Sequence, residues 1–131
     1  MSKDSKPSVH RSERVAVLGA SRKPGRYSNK AVVLLKEHGH RVIPVHPLEE
    51  RIEELPVAHS LREIKEGVDT LTVYVGPHAI QPLIGEIVAL RPSRVILNPG
   101  TESAELESAL SANQIPFVEA CTLVLLKTGQ Y

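Results

Sequence analysis

The chain has 131 residues, 41% hydrophobic and 24% charged, the profile of an ordinary globular protein. Sixteen Lys and Arg against fifteen Asp and Glu leave a formal charge of +1, which argues against a general nucleic-acid or membrane-surface binder. A single cysteine, Cys121, excludes an internal disulfide and suits a reducing cytoplasm. No run approaches the ~20 apolar residues of a membrane helix, and 3% aromatics without Trp give no base-stacking platform.

Residues 1–12 are polar and read as a mobile tail; residues 13–131 suit one domain and are too few for two. Val15-Ala16-Val17-Leu18 is a continuous apolar run stopped by Gly19, the pattern of a strand buried on both faces. From Ser28 to His38, Ala31, Leu34, Leu35 and His38 fall on one helical stripe, which Gly39 ends. Val42-Ile43-Pro44-Val45 is the second run, with Pro44 placed where a ladder donor is wanted. Ser60 to Glu63 reads as a capping box opening one or two helical turns. Leu71 to Val75 is the third run, and Ile80, Leu83, Ile84, Ile87 and Val88 fit one helix after it. Val95-Ile96-Leu97 is the fourth run. A helix from about Glu102, capped by Thr101, carries Leu106, Ala109 and Leu110 inward. Ile115 to Val118 is the fifth. Cys121 to Lys127 reads as a short closing helix, a buried tail or a dimer contact.

Strands alternating with helices predict a Rossmann-like α/β fold, a five-stranded parallel sheet with helices on both faces. The strand order expected is 3-2-1-4-5, with ligands beyond the carboxyl ends of the strands where the order reverses, between strands one and four. The first strand-end loop, Gly19 to Ser28, is the most informative. Gly19 permits a sharp turn, Ala20 and Ser21 let a ligand approach the main chain, and Arg22, Lys23 and Arg26 precede a helix N-terminus. That composition suits a phosphate, although neither a Gly-x-Gly-x-x-Gly nor a Walker pattern is present; the plainer reading is a solvated basic turn. The second loop opens with His46-Pro47, where a nicotinamide-binding fold places an acid for the ribose; the first acid is Glu49.

Gly19-Ala20-Ser21, Lys23-Pro24-Gly25-Arg26, Ile43-Pro44-Val45-His46-Pro47, Val73-Tyr74-Val75-Gly76-Pro77, Asn98-Pro99-Gly100-Thr101-Glu102 and Cys121 occur in an order that resembles the small stand-alone CoA-binding proteins. These are similar to the N-terminal CoA-binding domain of the succinyl-CoA synthetase alpha subunit. The resemblance implies coenzyme A or an acyl-CoA lying across the strand ends. Gly19, Ala20 and Ser21 would face the phosphates with Lys23 and Arg26 beside them, and Val45, His46 and Pro47 would border the adenosine. Val75, Gly76 and Pro77 would line the middle of the ligand, and Asn98, Pro99 and Gly100 would lie toward the pantetheine. The family often has Asn where His46 stands. The synthetase's phosphohistidine lies in a second domain without counterpart here, so binding without the ligase reaction is the expectation: a carrier, sensor or partner subunit. A binder of another adenine nucleotide such as NAD(P), used in redox sensing, is the alternative. A further one is a CoA-using enzyme with Glu102 or His78 as acid–base. No metal-ligand spacing links the histidines. The expected partner is a small-molecule nucleotide, not nucleic acid or membrane, with a homodimer as an open alternative.

Overall fold

The computed structural model describes residues 12–131; the rest of the tail expected over residues 1–12 lies outside the described residues. In chain order the elements are β1 (Arg14–Leu18), α1 (Tyr27–Glu37), β2 (Arg41–Val45), the two-residue strands β3 (Arg51–Ile52) and β4 (Leu55–Pro56), β5 (Thr70–Val73), α2 (Pro77–Ile80), α3 (Ile84–Leu90), β6 (Arg94–Leu97), α4 (Ala104–Ala112), β7 (Phe117–Glu119) and α5 (Thr122–Lys127). Among the described residues no helix is long and apolar enough to cross a membrane.

Five strands form one parallel sheet in the order β2-β1-β5-β6-β7, while β3 and β4 make a separate antiparallel hairpin. The α/β sheet with helices on both faces agrees with the sequence; the expected order 3-2-1-4-5 does not. Numbered over the five long runs, the order is 2-1-3-4-5, so β2 is an edge strand. Pro44 accounts for this placement. Its carbonyl accepts from Ala58 N–H at 3.0 Å on the outer side, so the face of Pro44 that lacks a donor points away from β1. The segment after β2 crosses back through a hairpin and a single 3₁₀ turn, Leu61–Glu63, instead of a full helix. The order therefore reverses between β1 and β5.

Side chains alternate across the sheet as a two-residue period requires. Ala16, Leu18, Leu71, Val73, Val95 and Leu97 bury against Ile80, Ile87, Leu106 and Leu110 of α2, α3 and α4. Val15 and Val17 bury on the other face with Val32 and Leu35 of α1 and Leu126 of α5. Complete burial of Val15, Ala16, Val17, Leu71, Val73 and Ile96 explains why these runs lack alternating polarity. The helix expected through Ile80 to Val88 is divided into α2, a 3₁₀ turn over Gln81–Leu83, and α3. Pro82 has no N–H to donate within it. The fourth helix begins later than expected. Ser103, not Thr101, is its cap, its Oγ accepting from Leu106 N–H at 3.1 Å.

At the far edge of the sheet Glu107 of α4 lies close enough to Glu119 of β7 to share a proton. That contact, then burial and the charges of Glu119 and Glu102, push the Glu107 carboxyl above its usual range. A carboxyl with a higher pKa folded than unfolded binds its proton more tightly in the native state. Its contribution is full at acid pH and is lost as pH rises through the raised value. Glu107→Gln should therefore gain in melting temperature over the parent as pH goes from about 4 to about 7. Parallel melting curves over that range would exclude the pairing.

Candidate functional site

Beyond the carboxyl ends of β1, β2 and β5 lies a cleft of about 490 Å³. It is lined by Gly19, Ala20, Ser21, Lys23, Arg26, His46, Pro47 and Val75, and also by Arg22, Glu49 and Tyr74. It sits at the point where the strand order reverses, the usual ligand position in such sheets. A larger cavity of about 620 Å³ runs along the outer edge of β2, past Arg14 and Arg41 at the strands' amino ends. It lacks the free strand-end loops and small residues of the first, which is the better candidate.

Gly19 is the hinge of the cleft. Its φ is +86°, and a Cβ there would stand 2.8 Å from Val75 Cγ1 and 3.1 Å from the Tyr74 carbonyl carbon. The N–H groups of Gly19 and Ala20 both donate to Val45 O at 3.2 Å. These two amides therefore tie β1 to the end of β2 and are not open to a phosphate. The open donors come one step later: the N–H groups of Ser21 and Arg22 have no partner among the described residues. Ser21 Oγ accepts from Lys23 N–H at 3.1 Å, and Lys23 O accepts from Arg26 N–H at 3.0 Å across the Pro24-Gly25 turn. From beneath, the buried Asn29 amide donates to Ser21 O at 2.9 Å and to Glu53 Oε2 at 3.0 Å. The loop is thus shaped by the protein alone.

Its electrostatics are one-sided. Arg26 stands at the N-cap of α1 with no side-chain cap, and the first turn of α1 holds no acid. Lys23 and Arg26 side chains have no ionic partner among the described residues. Unpaired cations beside free helix-start amides suit an anion. Arg22 differs: its Nε donates to Glu49 Oε2 at 3.0 Å, joining the first loop to the second. In the second loop His46 Nδ1 accepts from the N–H groups of Leu48 and Glu49, at 3.0 and 3.1 Å. That puts the neutral ring's proton on Nε2. An Asn side-chain oxygen makes the same local turn, so His46 has the geometry of the Asn that the resemblance leads one to expect.

Residues 13–127 match the model of the CoA binding domain. The chain belongs to that family. A crystal structure of an uncharacterized protein is 39% identical to this CoA binding domain with a TM-score of 0.88, covering 93% of this chain and all of the other. The Bacillus subtilis (strain 168) uncharacterized protein YneT is 32% identical over 66 residues, so the matched stretch spans 50% of this chain and 49% of that relative. The apo dinucleotide-forming acetyl-coenzyme A synthetase 1 of Ca. Korarchaeum cryptofilum has a TM-score of 0.71 at 16% identity. It covers 82% of this chain and 26% of the synthetase, a likeness of fold.

The remaining residues expected to border the ligand in this CoA binding domain are placed differently. Val45 is buried, Gly76 and Pro77 open α2, and Pro99 and Gly100 are exposed after β6. None of these lines the cleft. Asn98 is buried and fully engaged. Its Nδ2 donates to Thr72 Oγ1 at 2.7 Å and to Val73 O at 2.9 Å, and its Oδ1 accepts from Thr122 N–H at 2.8 Å. Thr72 and Thr122 hydroxyls meet at 2.8 Å, and Thr101 Oγ1 donates to Asn98 O at 2.7 Å. Glu102 Oε1 closes the neighbouring turn by accepting from Gly100 N–H at 3.0 Å. His78 is exposed on α2 outside the cleft, and Cys121 is half-buried before α5. Burial pushes the Tyr74 phenol up to about 12, against the lowering effect of the Thr122 and Thr72 hydroxyls. Among the described residues no cluster of His, Cys, Asp and Glu is placed to hold a metal.

Glu49 and Tyr74 line the cleft beyond the residues expected from the sequence. The His46-Pro47 turn brings Glu49 back into the cleft four residues after the strand, and the signal for this was the turn chemistry of His46. Asn98 tests the distinction between a ligand residue and a clamp. Asn98→Ala leaves the buried Thr122 N–H without its acceptor and Thr72 Oγ1 without one of its two partners, so denaturant unfolding should show a loss of about 3 kcal/mol. A stable variant with weakened ligand binding would make Asn98 a ligand residue instead.

Proposed function

We propose that this protein binds coenzyme A or an acyl-CoA in the cleft over β1, β2 and β5. On this reading it acts as a carrier, sensor or partner subunit in the cytoplasm, without transforming its ligand. The observation that carries the reading is the first loop. Two unpaired cations, Lys23 and Arg26, and the free N–H groups of Ser21 and Arg22 line the cleft in the loop that leads to the uncapped start of α1. This is a ready-made seat for a diphosphate, in a chain of the CoA binding domain family. The polar groups near β6, which a catalyst would aim at a substrate, are instead bonded to one another.

Glu49 favours a second reading, an adenine dinucleotide such as NAD(P). An acid beyond the second strand is the usual acceptor for ribose hydroxyls, and Glu49 lines the cleft. Native mass spectrometry of protein purified from its own host separates the two by the mass of the retained ligand.

Replacing Lys23 and Arg26 together with Ala should weaken CoA binding by about ten- to a hundredfold, the loss expected for charge-assisted hydrogen bonds. The melting temperature of the free protein should stay close to the parent's, because both side chains are exposed. Calorimetry showing unchanged affinity would remove the first loop from the site.

A further inference from the structure

The three cations of the first loop are not equivalent. Lys23 and Arg26 stand free, while Arg22 is bound across the cleft to Glu49 through Nε alone, at 3.0 Å. Both terminal guanidinium nitrogens of Arg22 remain without a partner among the described residues. An arginine held by Nε has its orientation fixed and its bidentate edge open, which suits a phosphate. The Glu49 end of this pair is itself fixed. His46 Nδ1 accepts from the Leu48 and Glu49 N–H groups, and the Glu49 carbonyl accepts from His59 Nε2–H at 3.1 Å. The Arg22 side chain is 67% exposed, so a ligand can reach it, whereas the Glu49 side chain is 30% exposed.

Position decides which phosphate is meant. Lys23 and Arg26 flank the start of α1, the diphosphate position. Arg22 reaches away from it to the loop after β2, where folds of this class place the adenosine ribose and where a nearby Arg receives a ribose phosphate. We infer that Arg22, oriented by Glu49, is the specificity-determining residue for a phosphate on the adenosine ribose, so that the cleft selects coenzyme A over its form lacking the 3′-phosphate. Glu49 is a positioning residue, acting through Arg22. This rests on the coenzyme reading above and adds to it which end of the ligand meets which cation. Binding to the diphosphate depends on Lys23 and Arg26; discrimination at the ribose depends on the Arg22–Glu49 pair.

The test is calorimetric titration of the full chain with CoA and with dephospho-CoA, repeated on Arg22→Ala, Glu49→Ala, Glu49→Gln and Lys23→Ala. The parent should prefer CoA by about tenfold or more, the value of one charge-assisted contact. Arg22→Ala should bring the two ligands to within about twofold by weakening CoA alone. Glu49→Ala should lose part of the preference, and Glu49→Gln, which keeps an acceptor for Nε, should retain it. Lys23→Ala should weaken both ligands alike. An Arg22→Ala protein that loses both ligands equally would overturn the assignment, as would a Glu49→Ala protein that binds CoA more tightly, since Glu49 would then be a competing anion. A parent that binds both ligands equally would overturn this inference alone; a parent that binds neither would overturn the coenzyme reading itself.

Discussion

The geometry of the cleft depends on how the chain leaves β1. Gly19 turns at positive φ with no room for a Cβ against the Val75 side chain and the Tyr74 carbonyl, while its N–H and that of Ala20 share the Val45 carbonyl. One residue thus fastens the ends of β2, β1 and β5 together. Any side chain would have to displace either Val75 or the turn itself. Because those two amides are spent on the sheet, the first donors free to meet a ligand are those of Ser21 and Arg22. The cleft opens one residue farther from the strand than the glycine suggests.

The strands of the sheet were legible in the sequence because burial on both faces writes them as unbroken apolar runs, Val15 to Leu18 and Val95 to Leu97 being the clearest. Their order was less so. Nothing local distinguishes β2 beside β1 at the edge from β2 in the interior except Pro44. Its missing donor points outward, where Ala58 meets its carbonyl. The first loop could be read because a phosphate seat is a local feature: a glycine, small residues, cations and a helix start in sequence. Asn98 could not, because its partners, Thr72 and Thr122, are 26 and 24 residues away and come together only when α5 folds back over the sheet. Glu49 lay between these cases. Its acid was visible, but its return into the cleft depends on the turn that His46 closes with its own Nδ1.

The two halves of the sheet's carboxyl end put their polar groups to opposite uses. Around β6, Asn98, Thr72, Thr122, Thr101 and Glu102 satisfy one another and the ends of β5 and α5. A buried network of this kind is rigid when complete and costly when one member is lost. Around β1, by contrast, the polar groups that stay open are cations and amides. Glu49, the only acid in that cleft among the described residues, is tied to Arg22. The near-neutral total charge of the chain conceals this local excess.

Preorganisation connects the two halves. A loop of free cations would be expected to spread under its own repulsion, and a flexible loop would lose entropy on capturing a ligand. Here Asn29 anchors Ser21 from below and links it to Glu53, the Pro24-Gly25 turn closes on itself, and Glu49 holds Arg22. The side-chain fastenings come from different elements: Asn29 of α1, with Glu53 of the β3–β4 hairpin behind it, and Glu49 of the loop after β2. The hairpin excursion that replaces a crossover helix is therefore part of the site's frame. It supplies Glu53 beneath the first loop, and through Ala58 it secures the edge strand whose end carries His46. A full crossover helix would cover the sheet equally well, but it would leave the first loop without that lower support.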